Sequence, residues 1–88
     1  MSDDQTNRDE ALALQALGWT LGEDARASRF LALTGLTPES LRGALGEPAT
    51  LAAALRFLEA HEPDLVACAE AIGVKPAALP EARQRLEA

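Results

Sequence analysis

Residues 48–61, PATLAAALRFLEAH, carry the clearest signal of the fold. Proline is favoured at the first position of a helix, so Pro48 marks a helix start. Apolar residues then recur three and four positions apart, which is the spacing of one helical face. The segment therefore predicts an amphipathic helix from Pro48 to about His61. Its inward stripe is Leu51, Ala54, Leu55 and Leu58, with Phe57 beside it.

The residues on the C-terminal side of this helix predict two more helical segments. Pro63 and Asp64 open a fifth helix, which Gly73 closes. A last segment begins at Pro76 and restarts at Pro80, because a proline inside a helix removes a hydrogen bond and clashes with the preceding turn. The inward face of the fifth helix is Leu65, Cys68, Ala69 and Ile72.

Two helices are predicted directly upstream of Pro48. One covers about residues 23–34 and ends at Gly35, the residue type that most readily adopts a left-handed backbone. A short helix follows, with Thr37 as its N-cap and Pro38 as its first residue, and it stops at Gly46.

The first helix is predicted to run from Asn7 to about Leu21. Asn7 and Glu10 have the spacing of a capping box. We expect residues 1–6 to form a disordered tail, because they are polar, and residues 7–88 to form one helical domain. The first helix carries two apolar stripes, which are Leu12, Ala16 and Trp19 on one and Leu14, Leu17 and Leu21 on the other.

The composition agrees with an all-α bundle of five to six short helices. Ala and Leu dominate the apolar residues, whereas the chain has two Phe, one Trp and no Tyr. The sequence also repeats at an offset of 38 residues, since Gly35-Leu36-Thr37-Pro38 aligns with Gly73-Val74-Lys75-Pro76. Either the chain contains two duplicated helical units, or this motif is a common connection between helices.

Charge and cysteine content narrow the function classes. Eight basic and fourteen acidic residues give a net charge of −6, which opposes binding to nucleic acid. A single cysteine, an acidic N-terminus and the absence of a long apolar run favour a cytoplasmic protein without a membrane span.

No group of residues has the pattern of a catalytic or metal site. His61 is the only histidine, and Cys68 lies on an apolar stripe, where a packed and inert thiol is expected. Paired acids fall at helix starts or at the N-terminus, where they serve as caps. We therefore expect no enzyme activity, cofactor, metal or small-molecule ligand.

With enzyme activity and metal binding set aside, we predict that the chain binds another macromolecule. The residues predicted to contact the partner are Trp19, Arg26 and Arg29. Trp and Arg concentrate binding energy at interfaces, although Trp19 could instead fill the core. The alternative is a helix-turn-helix-like nucleic-acid binder, based on the spacing of Ala69, Gly73 and Leu79. That alternative requires a basic patch made by Arg42, Arg56, Arg83 and Arg85.

Three stretches resemble one known family. They are residues 10–19 (EALALQALGW), residues 28–36 (SRFLALTGL) and residues 55–58 (LRFL). Across about residues 7–86 the chain is similar to the small, mostly alphaproteobacterial proteins grouped as domain of unknown function 3572. The resemblance implies a bacterial, cytoplasmic, single-domain protein, and it transfers no catalytic or ligand-binding residue.

The sequence as a whole predicts a non-catalytic interaction module or auxiliary subunit. Its partner is expected to be another protein or a second copy of the chain.

Overall fold

The computed structural model describes residues 3–88, which form six helices and no strand. The helices are α1 (Asp3–Leu21), α2 (Asp24–Thr34), α3 (Pro38–Gly43), α4 (Pro48–Glu59), α5 (Glu62–Ile72) and α6 (Ala78–Glu87). The prediction of an all-α bundle is therefore confirmed.

Helix α4 lies at the centre of the bundle and packs against α1, α2, α5 and α6. Leu55 and Leu58 have no exposed surface, as their place on the predicted inward stripe requires. Phe57 meets Phe30 of α2 edge to face, with 5.4 Å between the ring centroids. This geometry suits the charge distribution of aromatic rings, so the pair ties α2 to α4.

The offset of 38 residues recurs in the helix bounds. Adding 38 to the bounds of α2, Asp24 and Thr34, gives Glu62 and Ile72, which are the bounds of α5. Gly35 and Gly73 follow these helices with left-handed backbones, at φ of 75° and 81°. The third helix of each repeat, α3 in the first and α6 in the second, does not match the other. Helix α6 packs between α1 and α4, whereas α3 is shorter and lies at the periphery.

The predicted start of the first helix is wrong. Helix α1 begins at Asp3, so residues 3–6 are helical and Asn7 lies inside the helix rather than at its cap. The Asp4 side chain suits the first helical turn because acidic groups are favourable there, and the Gln5 side chain donates a hydrogen bond to Asp9. Residues 1 and 2 of the predicted tail lie outside the described residues.

The buried stripe of α1 also differs from the two predicted stripes. It runs along Ala13, Ala16, Leu17 and Thr20, between the two predicted faces. Leu14 is 48% exposed, so the prediction that it packs inward is wrong. Thr20 is tolerated in the core because its hydroxyl donates to the carbonyl oxygen of Ala16.

Proline and glycine positions explain two further differences in helix bounds. Pro80 does not restart a helix, because it is the third residue of α6, where backbone N–H groups have no partner within the helix. Helix α3 ends at Gly43 rather than Gly46, since glycine is a poor helix former. The prediction of Thr37 as an N-cap is confirmed, and the structure adds Ser40 as the second member of a capping box. His61 lies between α4 and α5, not within α4.

Candidate protein-binding surface

Trp19 and Arg26, two of the three predicted binding residues, contact each other. The Arg26 guanidinium carbon lies 3.6 Å from the centroid of the Trp19 ring, and the same side chain donates to the Trp19 carbonyl oxygen. Only 13% of the Arg26 side chain is exposed. The pair therefore stabilises the junction of α1 and α2, since it combines a cation–π contact with a partner for a carbonyl at the helix end.

Arg29, the third predicted residue, has different neighbours. Its Nη2 lies 2.7 Å from Oδ2 of Asp64, which joins α2 to α5. Its guanidinium carbon is 5.2 Å from the Phe57 ring centroid. With 49% of its side chain exposed, Arg29 retains donors that face solvent.

One exposed stripe of α2 carries a single charged residue. Five exposed residues follow the spacing of one helical stripe, and Arg29 is the one charged residue among them. They are Ala25, Ser28, Arg29, Ala32 and Leu33, and together they are called the α2 face below. The opposite side of α2 buries Phe30 in the core.

Leu33 is the most exposed large apolar residue of the α2 face, at 71%. Beside it lies an open depression of about 410 Å³ between α2 and α4. The depression is lined by Leu33, Thr34, Ala53, Arg56 and Phe57. An exposed leucine next to an apolar hollow is the arrangement that a protein partner can cover with favourable apolar burial.

Sequence reasoning missed Leu33 and this depression. The spacing of Ala25, Arg29 and Leu33 was visible as one stripe, but apolar stripes usually face the core. Phe30 lies on the buried side of α2, so a second stripe on the same helix is the signal that could have revealed Leu33.

The arginines that a nucleic-acid interface would need are mostly engaged in ion pairs. Arg56 and Arg83 of α4 and α6 both bind Glu87, at 2.6 and 2.7 Å, and Arg83 also binds Glu59. Arg42 is exposed on α3. The carboxylates beside the paired arginines cancel much of the positive potential that phosphates would require.

Arg85 forms the ion pair that ties α6 to α1. Its Nε and Nη2 each lie 2.9 Å from a carboxylate oxygen of Asp9, which is a bidentate geometry. The hydrogen bond from Arg85 holds the pKa of the buried Asp9 below its ordinary value. Asp9 therefore stays ionised as a structural group.

Cys68 lies in the core, and His61 lies beside an acidic side chain. Cys68 is fully buried, and desolvation raises the pKa of its thiol to about 11, so the nucleophilic thiolate is scarce. His61 Nδ1 lies 3.0 Å from Oδ2 of Asp64, which also accepts from Arg29. Within residues 3–88, no cluster of three or more His, Cys, Asp or Glu side chains is placed to hold a metal.

No helix in the described part of the chain is long and apolar enough to cross a membrane. Fold and surface thus define a small all-α bundle protein with an exposed leucine beside an apolar depression on its outer helix α2. The chain belongs to the family described as protein of unknown function DUF3572, whose model matches residues 6–88. This match confirms the family resemblance. No curated protein and no solved structure matches the chain.

Proposed function

We propose that the chain is a non-catalytic protein–protein interaction module, or an auxiliary subunit, that binds a partner helix through the α2 face. The exposure of Leu33 beside the depression over Phe57 carries this proposal. Full burial of a leucine side chain contributes about 1.5–3 kcal/mol, so a partner that covers Leu33 gains a substantial anchor.

The partner helix is expected to combine an apolar stripe with a carboxylate. The small side chains of Ala25, Ser28 and Ala32 leave room for the backbone of a second helix to approach α2. Arg29 and Arg56 border the same region and are partly exposed. Each guanidinium has five N–H donors, so each can bind a partner carboxylate in addition to its internal one.

The nucleic-acid alternative has weaker support and stays a prediction. It needs a positive surface, whereas Arg56, Arg83 and Arg85 are paired with acids and the net charge is −6. A cytoplasmic location and an alphaproteobacterial origin are likewise proposals that follow from the composition and the family resemblance.

The first test compares Leu33→Asp with Leu14→Asp as a matched control. Both change an exposed leucine to aspartate, but Leu14 lies on α1 and does not line the depression. Tagged wild-type and variant chains would be recovered from their own cells alongside the untagged chain, in parallel samples with and without nuclease. Circular dichroism would verify that each variant stays folded.

We expect the tagged wild-type chain to recover one polypeptide at near-stoichiometric yield. The same polypeptide, once purified, should bind Leu33→Asp at least about tenfold more weakly, equal to about 1.4 kcal/mol, and bind the control with little change. Absence of any bound polypeptide, or equal binding by both variants, would overturn the proposal. Recovery of nucleic acid that is lost at high salt would favour the alternative.

A further inference from the structure

The α2 face has a counterpart on α5. The residues 38 positions after the α2 face are Pro63, Val66, Ala67, Glu70 and Ala71, all exposed, and they are called the α5 face below. Val66 is 44% exposed, and Glu70 is the single charged residue of the stripe. Among the described residues Glu70 makes no ion pair.

We infer that the partner of the α2 face is the α5 face of a second copy of this chain, in a two-fold symmetric dimer. This inference rests on the proposed function and names the occupant of the proposed surface. The α5 face has the two properties required of the partner helix, which are a stripe of small and apolar side chains and one exposed carboxylate.

The charges on the two faces favour pairing of the α2 face with an α5 face rather than with a second α2 face. Arg29 is the central residue of the α2 stripe, so packing α2 on its own copy would place two arginines opposite each other, which is unfavourable. Packing α2 on α5 aligns residues 25–33 with residues 63–71. In either helix direction Glu70 then lies within one turn of Arg29, so opposite charges meet across the contact.

Because α2 and α5 are neighbours, the contact between the α2 face and the α5 face can form twice in one dimer. Both helices pack against α1 and α4, and the Arg29–Asp64 ion pair joins them. A two-fold axis can place α2 of one copy on α5 of the other while α5 of the first copy meets α2 of the second. The Arg29–Glu70 contact is then made twice, and both copies of Leu33 are covered.

The test measures the mass of the purified full chain in solution, from about 1 µM to about 1 mM, by light scattering and sedimentation equilibrium. We expect a concentration-dependent dimer. Leu33→Asp and Val66→Asp should each weaken it at least about tenfold, because each places a charge in an apolar contact. Leu14→Asp serves as the matched control.

Charge exchange tests the pairing of Arg29 with Glu70. Arg29→Glu and Glu70→Arg alone should each weaken the dimer, since each places like charges together in both contacts. An equimolar mixture of the two single variants should recover near wild-type affinity as a heterodimer, because both contacts then join opposite charges. Glu39→Arg, the same charge change on α3, should have little effect. Circular dichroism on each variant separates loss of dimer from loss of fold.

The outcomes distinguish this inference from the proposed function. A chain that stays monomeric up to about 1 mM overturns the inference, while a Leu33-dependent complex with another protein leaves the proposed function standing. A dimer in which the mixture of single variants shows no recovery overturns the Arg29–Glu70 pairing and with it the inference. If Leu33→Asp does not weaken the dimer, and no other protein binds in a way that depends on Leu33, then both the inference and the proposed function are overturned.

Discussion

At the scale of single residues, burial separates side chains that look alike in the sequence. Leu55 is fully buried at the centre of α4, whereas Leu33 is 71% exposed on α2. Both belong to helical stripes, so the sequence pattern alone assigns them similar roles. Leu55 should therefore contribute to the stability of the fold, whereas Leu33 should contribute to binding and little to stability.

Leu55→Ala should lower the free energy of unfolding by about 2–5 kcal/mol, because it removes buried apolar contacts and leaves a cavity. Leu33→Ala should change stability by no more than about 0.5 kcal/mol, since the site is exposed. Urea denaturation of a sample dilute enough to be monomeric would measure both values. Similar losses at the two positions would contradict the burial difference.

Cys68 should be unreactive in the folded chain. Its side chain is inaccessible and its thiol pKa is raised to about 11, so at pH 8 both access and thiolate are lacking. Labelling with a thiol reagent should be slow in buffer and fast in concentrated urea. Equal labelling rates under the two conditions would show that α5 opens readily or that Cys68 is not packed.

At the scale of helices, α6 is held by charged contacts as well as by apolar ones. Leu79 and Ala82 are its buried residues, and its arginines reach Asp9 on α1 and Glu59 on α4. The proline at the third position of α6 does not interrupt it, because no hydrogen bond within the helix is lost there. Helix α6 should thus be the element most sensitive to acid.

Stability should fall as the pH drops below about 4. Arg85 lowers the pKa of Asp9 in the folded chain, with 3.8 as the ordinary value, so the carboxylate stabilises the fold above that value and the stabilisation is lost as the pH falls through the folded pKa. Asp9→Asn should cost about 1–2 kcal/mol at pH 7 and less at pH 3.

Urea denaturation of wild type and Asp9→Asn at both pH values would measure this difference. Glu10→Gln, which removes a neighbouring carboxylate without a side-chain ion pair in the described part of the chain, is the control. An Asp9→Asn penalty that is unchanged between pH 7 and pH 3 would contradict a role for the ionised carboxylate.

At the scale of the whole molecule, the net charge is acidic, and ion pairing leaves it unchanged because each pair joins one positive and one negative group. Five of the arginines are paired within the structure, and the net charge is −6. Long-range repulsion between like-charged molecules favours contact at their least charged surfaces. The α2 and α5 faces each carry a single charge, of opposite sign, which is why they are the expected place of contact.

Duplex DNA should therefore bind poorly. We expect an affinity weaker than about 100 µM near physiological salt, at the weak limit of ordinary non-specific binding. Fluorescence anisotropy with a labelled duplex, read over a series of salt concentrations, would measure it. Binding near 1 µM that weakens steeply with salt would contradict the expectation and support the nucleic-acid alternative.

The sequence by itself determined the helical class, most helix ends and the inert setting of Cys68. These features depend on local rules, such as the left-handed glycines Gly35 and Gly73 and the Thr37 cap, which act within a few residues of the chain. The 38-residue offset was equally visible, since it is a pattern in the chain itself.

Only the tertiary structure decided which stripes face inward and which arginines are free. Leu14 and Leu33 are exposed, and Arg26 is covered, because other helices compete for the same core surface. Ion pairs such as Asp9–Arg85 join residues far apart in the chain. No local rule anticipates such contacts, because they depend on how α1, α4 and α6 pack together.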